Sequence, residues 1–414
     1  DKFDMNEFGV EQDDLSNPFQ VNQLITLCFF SSLTTLVLVD CQMDIKNFFE
    51  SVSNAMHHCA QNNINDPLRL VSIDLSKNKC SASFTGDYQF PVHIETLKIQ
   101  RISWEGESLV TFLTKQQFMS WIDLDISKCD LNERQFTSLV FSQPGSLSVR
   151  SFIWDGNPLF VQFIRFLTEF KYLQILSINN CLILKKEKQA IIPALATLVS
   201  KTNLQSLSID ETFKSMKSQS ITALREVLCQ HQTITKIDIS DNEIGEAGLA
   251  VLKDIVTVNT RISRISFDGC NVDHYSSLVD FISYIAKLPY LTTIGQPKKE
   301  FKRLVEQYGK KVDKELNAAW SQVLEKHPEV LSIHGKKYAT ADSNSDVSCD
   351  DLLIDRTSAD LSSTTSAFIS SAANDSSTSN KADFEPQISK RAEIALLNTS
   401  WDIQFDLQID DGSN

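Results

Sequence analysis

Apolar residues recur along this chain in one short template, clearest between Thr233 and Arg264. Ile234, Ile237 and Ile239 are separated by polar residues and followed by Asn242, giving the spacing LxxLxLxxN. Ile237 and Ile239 alternate with Lys236, Asp238 and Ser240, which predicts a short strand with its aliphatic side chains on one face. Asn242 falls where the chain must turn, and its amide is expected to bond backbone groups of neighbouring turns. After Gly245, the run Ala247, Leu249, Ala250, Leu252, Ile255 and Val256 has helical spacing. Ile262, Ile265, Phe267 and Cys270 then begin the pattern again. One such unit cannot bury its apolar face; a stack of them can.

In chain order the template reads Leu33, Leu36, Leu38, Cys41, then Leu70, Ile73, Leu75, Asn78. Ile94, Leu97, Ile99, Ile102 and Trp121, Leu124, Ile126, Cys129 follow. Val149, Phe152, Trp154, Asn157, then Leu173, Leu176, Ile178, Cys181, then Leu204, Leu207, Ile209, Thr212 precede the two units already described. Leu291 and Ile294 begin an incomplete last one. Ninth positions run from 41 to 270 in steps of 24 to 37 residues, averaging near 29. That period leaves room for a strand and a full helix. It predicts an α/β leucine-rich-repeat solenoid, a horseshoe of the ribonuclease-inhibitor type, over residues 33–296.

The flanks differ. Residues 1–32 carry Phe19, Val21, Leu24, Ile25, Leu27, Phe29 and Phe30 and are expected to form an N-terminal cap or partial repeat. Over 297–340, Phe301, Leu304, Val305, Tyr308, Val312, Leu316, Trp320 and Val323 recur at helical spacing, predicting one long amphipathic helix that ends before Pro328. Its first half is basic. It reads either as a cap on the last repeat or as a surface, at residues 298–326, for a dimer or a membrane. Residues 341–414 are rich in Ser, Thr and Asp, and hold fourteen acids against Arg356, Lys381, Lys390 and Arg391. That composition predicts a disordered acidic tail. Within it, 394–409 brings apolar residues together again, as a short binding motif or the start of something truncated.

The tail supplies most of a formal net charge of -14. No apolar run reaches the length of a membrane span, and Asp1 to Asp14 lack the character of a signal peptide. The chain does not begin with Met, as expected of a fragment or processed product. Four of nine cysteines (Cys41, Cys129, Cys181 and Cys270) occupy the ninth position, where a thiol can stand in for the Asn amide as a weak donor. Others, such as Cys59 and Cys229, fall on apolar helix faces. This is the usage of reduced thiols, so a cytoplasmic protein is expected, and the sequons at Asn374 and Asn398 carry no weight.

Catalytic signatures are missing from the sequence. Neither GxxxxGK[ST] nor GxGxxG occurs, and the adjacent His57, His58 and Cys59 would scatter around a helix instead of converging on a metal. No enzyme activity, metal or cofactor is expected. The outward strand positions are more informative. They place Asp74, Asp123, Asp125, Asp155, Asp210, Asp238, Asp241 and Asp268 in columns on one face, opposed by few bases. Such a face either solvates the stack or docks a basic protein partner, and it disfavours nucleic acid.

Several segments resemble the CARMIL family: Leu204 to Ile209, Lys214 to Ser218, Ile234 to Asn242 with Gly245 and Gly248, and Asn259 to Ile265. Phe29 to Leu33, Ser72 to Ser76 and Tyr290 to Ile294 are similar to other parts of that family's repeats. The resemblance covers roughly residues 20–330. It implies a repeat scaffold linked to capping protein, the Arp complex and myosin I. The family's upstream pleckstrin-like domain and its basic Arg-Pro-Lys segment have no counterpart here, so the resemblance transfers no binding residues. The expected function is a non-catalytic interaction scaffold in actin cytoskeleton regulation. The alternatives are a GTPase-activating protein of the Ran type and a ribonuclease-inhibitor-like binder of a basic protein.

Overall fold

The computed structural model describes residues 2–4, 15–29, 31–62, 69–91, 93–129, 131, 144–145 and 148–327. The expected disordered tail at 341–414 and the motif at 394–409 lie outside these residues. Eleven strands form one parallel sheet, and their order in the sheet is their order in the chain. Lys2–Asp4 pairs with Thr35–Val37, so a strand stands ahead of the first template. Most strands are three residues long, with a buried aliphatic between two half-buried polar positions, as in Ser72–Asp74 and Arg264–Ser266. The register stacks those central residues into one column. It runs Leu36, Ile73, Leu97, Leu124, Phe152, Leu176, Leu207, Ile237, Ile265 and Ile294. A parallel neighbour needs a crossover, and the helical half of each repeat supplies it.

Every turn after a strand uses the same device. The residue before the ninth position has a left-handed backbone: Asp40, Lys77, Arg101, Lys128, Gly156, Asn180, Glu211, Asp241 and Gly269. Its N–H reaches a carbonyl of the next repeat, as from Lys77 to Gln100 (2.8 Å), Lys128 to Asp155 (2.7 Å) and Asp241 to Asp268 (2.7 Å). The ninth residue then ties two turns together. Asn242 accepts from the Phe213 N–H (2.7 Å) and donates to the carbonyls of Ile209 and Ile239 (both 2.9 Å). Asn78 and Asn157 bond in the same way. The thiols do replace the amide as donors: Cys129 Sγ reaches the Ile99 carbonyl (3.6 Å) and Cys181 Sγ that of Trp154 (3.5 Å). A second ladder closes the helical side, where Asn259 donates to Leu228 and His231, and His231 Nε2 to Val199.

The C-terminal segment departs from the expected single helix. Gly309, at φ 85 and ψ -174, breaks it into Lys298–Tyr308 and Lys310–Lys326. That backbone region is open to glycine and closed to other residues. The second helix packs on Tyr275–Ile285 and buries Val312, Leu316, Ala319, Trp320 and Val323. The apolar face that could have served a dimer through residues 298–326 is therefore covered within the chain. Glu300, 1% exposed, accepts from the N–H groups of Asn271 and Val272 (both 2.9 Å). A carboxylate on the closing helix thus supplies at the last turn the accepting half of what Asn78, Asn157 and Asn242 do at theirs.

Candidate functional site

Two surfaces stand out, one foreseen and one not. Apart from Asp123, near the start of Ile122–Asp125, the acidic positions lie at or just beyond the C-terminal ends of the strands. There the carboxylates are largely occupied by the backbone. Asp74, Asp125 and Asp238 each accept the N–H two residues ahead at 3.0 Å, from Ser76, Ser127 and Ser240. Asp125 and Asp238 are only 4% and 9% exposed, so these two are not the solvated carboxylates that alternation predicted. Ser127 Oγ and Gln100 Nε2 also donate to Asp125. Asp123 is bidentate to Arg150, at 2.9 Å from Nε and 2.7 Å from Nη2. Asp241 pairs with Lys299. Asp268 accepts from the N–H groups of Gly269, Lys299 and Glu300, so it caps the helix Lys298–Tyr308.

The remaining two carboxylates end a polar chain across adjacent strands. Asp155 accepts from Ser177 Oγ (2.7 Å) and the Asn179 N–H (2.8 Å). Asn179 Oδ1 in turn accepts from Ser208 Oγ and the Asp210 N–H, both at 2.8 Å. Asp210 Oδ1 is buried with no hydrogen-bond partner. Burial pushes the Asp155 carboxyl up to about 6, against the pull of the Asn179 and Ser177 donors. Burial, and then the charges of Asp238 and Asp241, push Asp210 up to about 7. Burial also raises Asp268, against its three backbone donors. The structure therefore brings Asp210, Asp238 and Asp241 close enough to interact, with Lys299 paired to Asp241. Asp74 and Asp123 lie among the earlier strands, away from these three.

The second surface lies at the opposite, N-terminal ends of the strands. A groove of about 760 Å³ is lined by Arg69, Val71, His93, Glu95, Met119, Trp121, Arg150 and Tyr172. Met119, Trp121 and Tyr172 are 70%, 53% and 49% exposed, and the Trp121 and Tyr172 rings stand 6.2 Å apart. Its origin is a register shift in the strand Ile122–Asp125. Ile122 pairs with Val149 and Asp123 with Ser151, so this strand has one residue fewer than its neighbour between the template's first buried position and the central column. Ile122 takes the buried first position of the template, and Trp121, assigned to that position by the spacing, turns outward. The signal was present as two adjacent apolar residues, Trp121 and Ile122, which cannot both face inward on an extended strand.

Among the described residues, no group of three or more His, Cys, Asp or Glu side chains is placed to hold a metal ion. No helix among them is long and apolar enough to cross a membrane. The geometry defines a mixed α/β chain, a long parallel sheet with helices. No family model matches the sequence, and no curated protein matches it. Among solved structures, the TLR13–ssRNA13 complex matches with a TM-score of 0.38 and 12% identity, over 64% of this chain and 36% of that one. The chain thus spans about a third of that protein's length. A chain of the octameric complex of Latrophilin 3, Unc5D and FLRT2 (LRR) matches with a TM-score of 0.27 and 12% identity, over 62% of this chain and 80% of that one.

Proposed function

We propose that this chain is a leucine-rich-repeat solenoid that serves as a non-catalytic scaffold and binds a basic protein through the ends of its central strands. The observation that carries the reading is the spot formed by Asp210, Asp238 and Asp241. Burial, and then the charges of Asp238 and Asp241, push the Asp210 carboxyl up to about 7, with Lys299 opposing them. A Lys or Arg side chain from a partner would relieve the repulsion among these carboxylates. The finer reading, an actin cytoskeleton scaffold, rests on the CARMIL resemblance alone.

The test is titration of a labelled lysine-rich peptide with the full chain. Binding should weaken as salt rises past about 0.15 M, where the screening length is about 8 Å. Asp210→Asn should weaken it further, and binding indifferent to both would sink the basic-partner reading. For the finer reading, the tagged chain should concentrate at the actin cortex of a cell. A diffuse distribution that ignores actin depolymerisation would count against it.

A further inference from the structure

We infer that Lys299 is an internal stand-in for the partner's base: its ammonium holds the place at Asp241 that a partner's Lys or Arg would take, and the partner enters by displacing it. This rests on the basic-partner reading above and states how access to that same site is controlled. One residue bridges three repeats. Ser206–Ser208, Lys236–Asp238 and Arg264–Ser266 are adjacent strands, and Asp210, Asp241 and Asp268 follow them in turn. The Lys299 N–H donates to Asp268 Oδ2 (3.0 Å), which sets the residue on the last of these turns. Its side chain then crosses back one repeat to pair with Asp241. Its charge also acts on Asp210, one repeat further. The hydrogen bond to Asp241 raises the Lys299 ammonium above its ordinary value against the cost of burial, with the charges of Asp241, Asp210 and Asp268 adding to it.

The backbone and the side chain of Lys299 are held unequally. Asp268 Oδ1 accepts the Glu300 N–H (3.0 Å), and buried Glu300 accepts from Asn271 and Val272. Arg303 adds bonds to Glu300 and to the Val272 carbonyl. The start of the helix Lys298–Tyr308 is thus fastened without the Lys299 ammonium. The Lys299 side chain is 70% exposed, and its flexible stem lets the ammonium swing into water with the helix in place. An ion pair so open to solvent contributes little and is readily exchanged. The pair of Arg303 with Glu300 shows the opposite arrangement: its carboxylate is 2% exposed, and it serves the fold. Because Lys299 competes from within the chain, at high effective concentration, a single loose base does not displace it. A partner that carries several bases does.

Fluorescence anisotropy with the full chain and a labelled lysine-rich peptide at low salt tests this. Lys299→Met keeps the stem and removes the charge, and it should tighten binding about two- to fivefold, the range an exposed ion pair covers. Lys302→Met removes the same charge from the exposed surface of the same helix, where no ion pair forms among the described residues, and should gain clearly less. In an Asp241→Asn background the advantage of Lys299→Met over Lys302→Met should vanish, because the contested carboxylate is gone. Unchanged melting temperatures show that the variants are folded. The inference is overturned if Lys299→Met binds no tighter than Lys302→Met, if its advantage survives Asp241→Asn, or if it lowers the melting temperature and weakens binding. Peptide binding that weakens in Asp210→Asn but ignores Lys299→Met overturns this inference alone. Absence of binding by the chain and by Lys299→Met alike sinks the basic-partner reading itself, and this inference with it.

Discussion

At Asn242 one side chain satisfies the backbone of two turns and is 1% exposed. Asn242→Ala leaves a buried N–H and two carbonyls without that partner, at a cost of about 2–4 kcal/mol. Asn242→Cys should cost less, since thiols at 129 and 181 already donate from this position. Urea unfolding of the pair checks the order. Ile237, 1% exposed in the central column, is less forgiving. Ile237→Asp buries an unpaired charge and should cost more than about 4 kcal/mol, read as a lost or strongly lowered thermal transition. Asp210 works in the other direction. Unfolded, its carboxyl ionises near 3.8; folded, near 7. Between those values the unfolded chain has released a proton that the folded chain retains, so stability falls as pH rises through the window and levels off above it. Asp155 adds to the same slope up to about 6. Asp210→Asn should raise the melting temperature at pH 8 and flatten the slope between about pH 4 and 7; an unaltered profile would show that Asp210 ionises freely.

Elements show where sequence sufficed and where it did not. The strands were legible because alternation and a fixed Asn spacing both follow from one-sided burial and an amide ladder, as at Ile237, Ile239 and Asn242. The register shift at Ile122 was not, because spacing alone cannot say which of Trp121 and Ile122 turns inward. Nor was Glu300, whose role depends on a helix replacing the next repeat's turn. The acidic columns were misleading as chemistry: local N–H groups at Ser76, Ser127 and Ser240 claim three of those carboxylates. The closing helix pair makes its own predictions. Glu300→Ala removes the acceptor of two buried N–H groups and the partner of Arg303, a loss of about 3–5 kcal/mol. Protease sensitivity should appear first in residues 298–326. Gly309→Ala meets no neighbour within 4 Å and is opposed only by its backbone angle, so it should cost about 1–3 kcal/mol. Urea melts of both variants would rank them.

Over the whole of the described chain the buried apolar side chains form one continuous cluster, from Leu15 to Val323. Each repeat nevertheless contacts mainly its neighbours, so opening can begin at one place and spread. The thiols turn that property into something measurable. Cys41, Cys129, Cys181 and Cys270 are buried at the same position of four different repeats, and burial raises the thiols of Cys129 (to about 11), Cys181 and Cys270. A thiol so held does not react with an alkylating reagent until its own turn has opened. The chain therefore carries its own set of clocks, spaced from one end to the other. Pulsed alkylation followed by peptide mass analysis would give four separate rates and the order in which the stack comes apart. Asn242→Ala should then advance the clocks at 181 and 270 ahead of the one at 41.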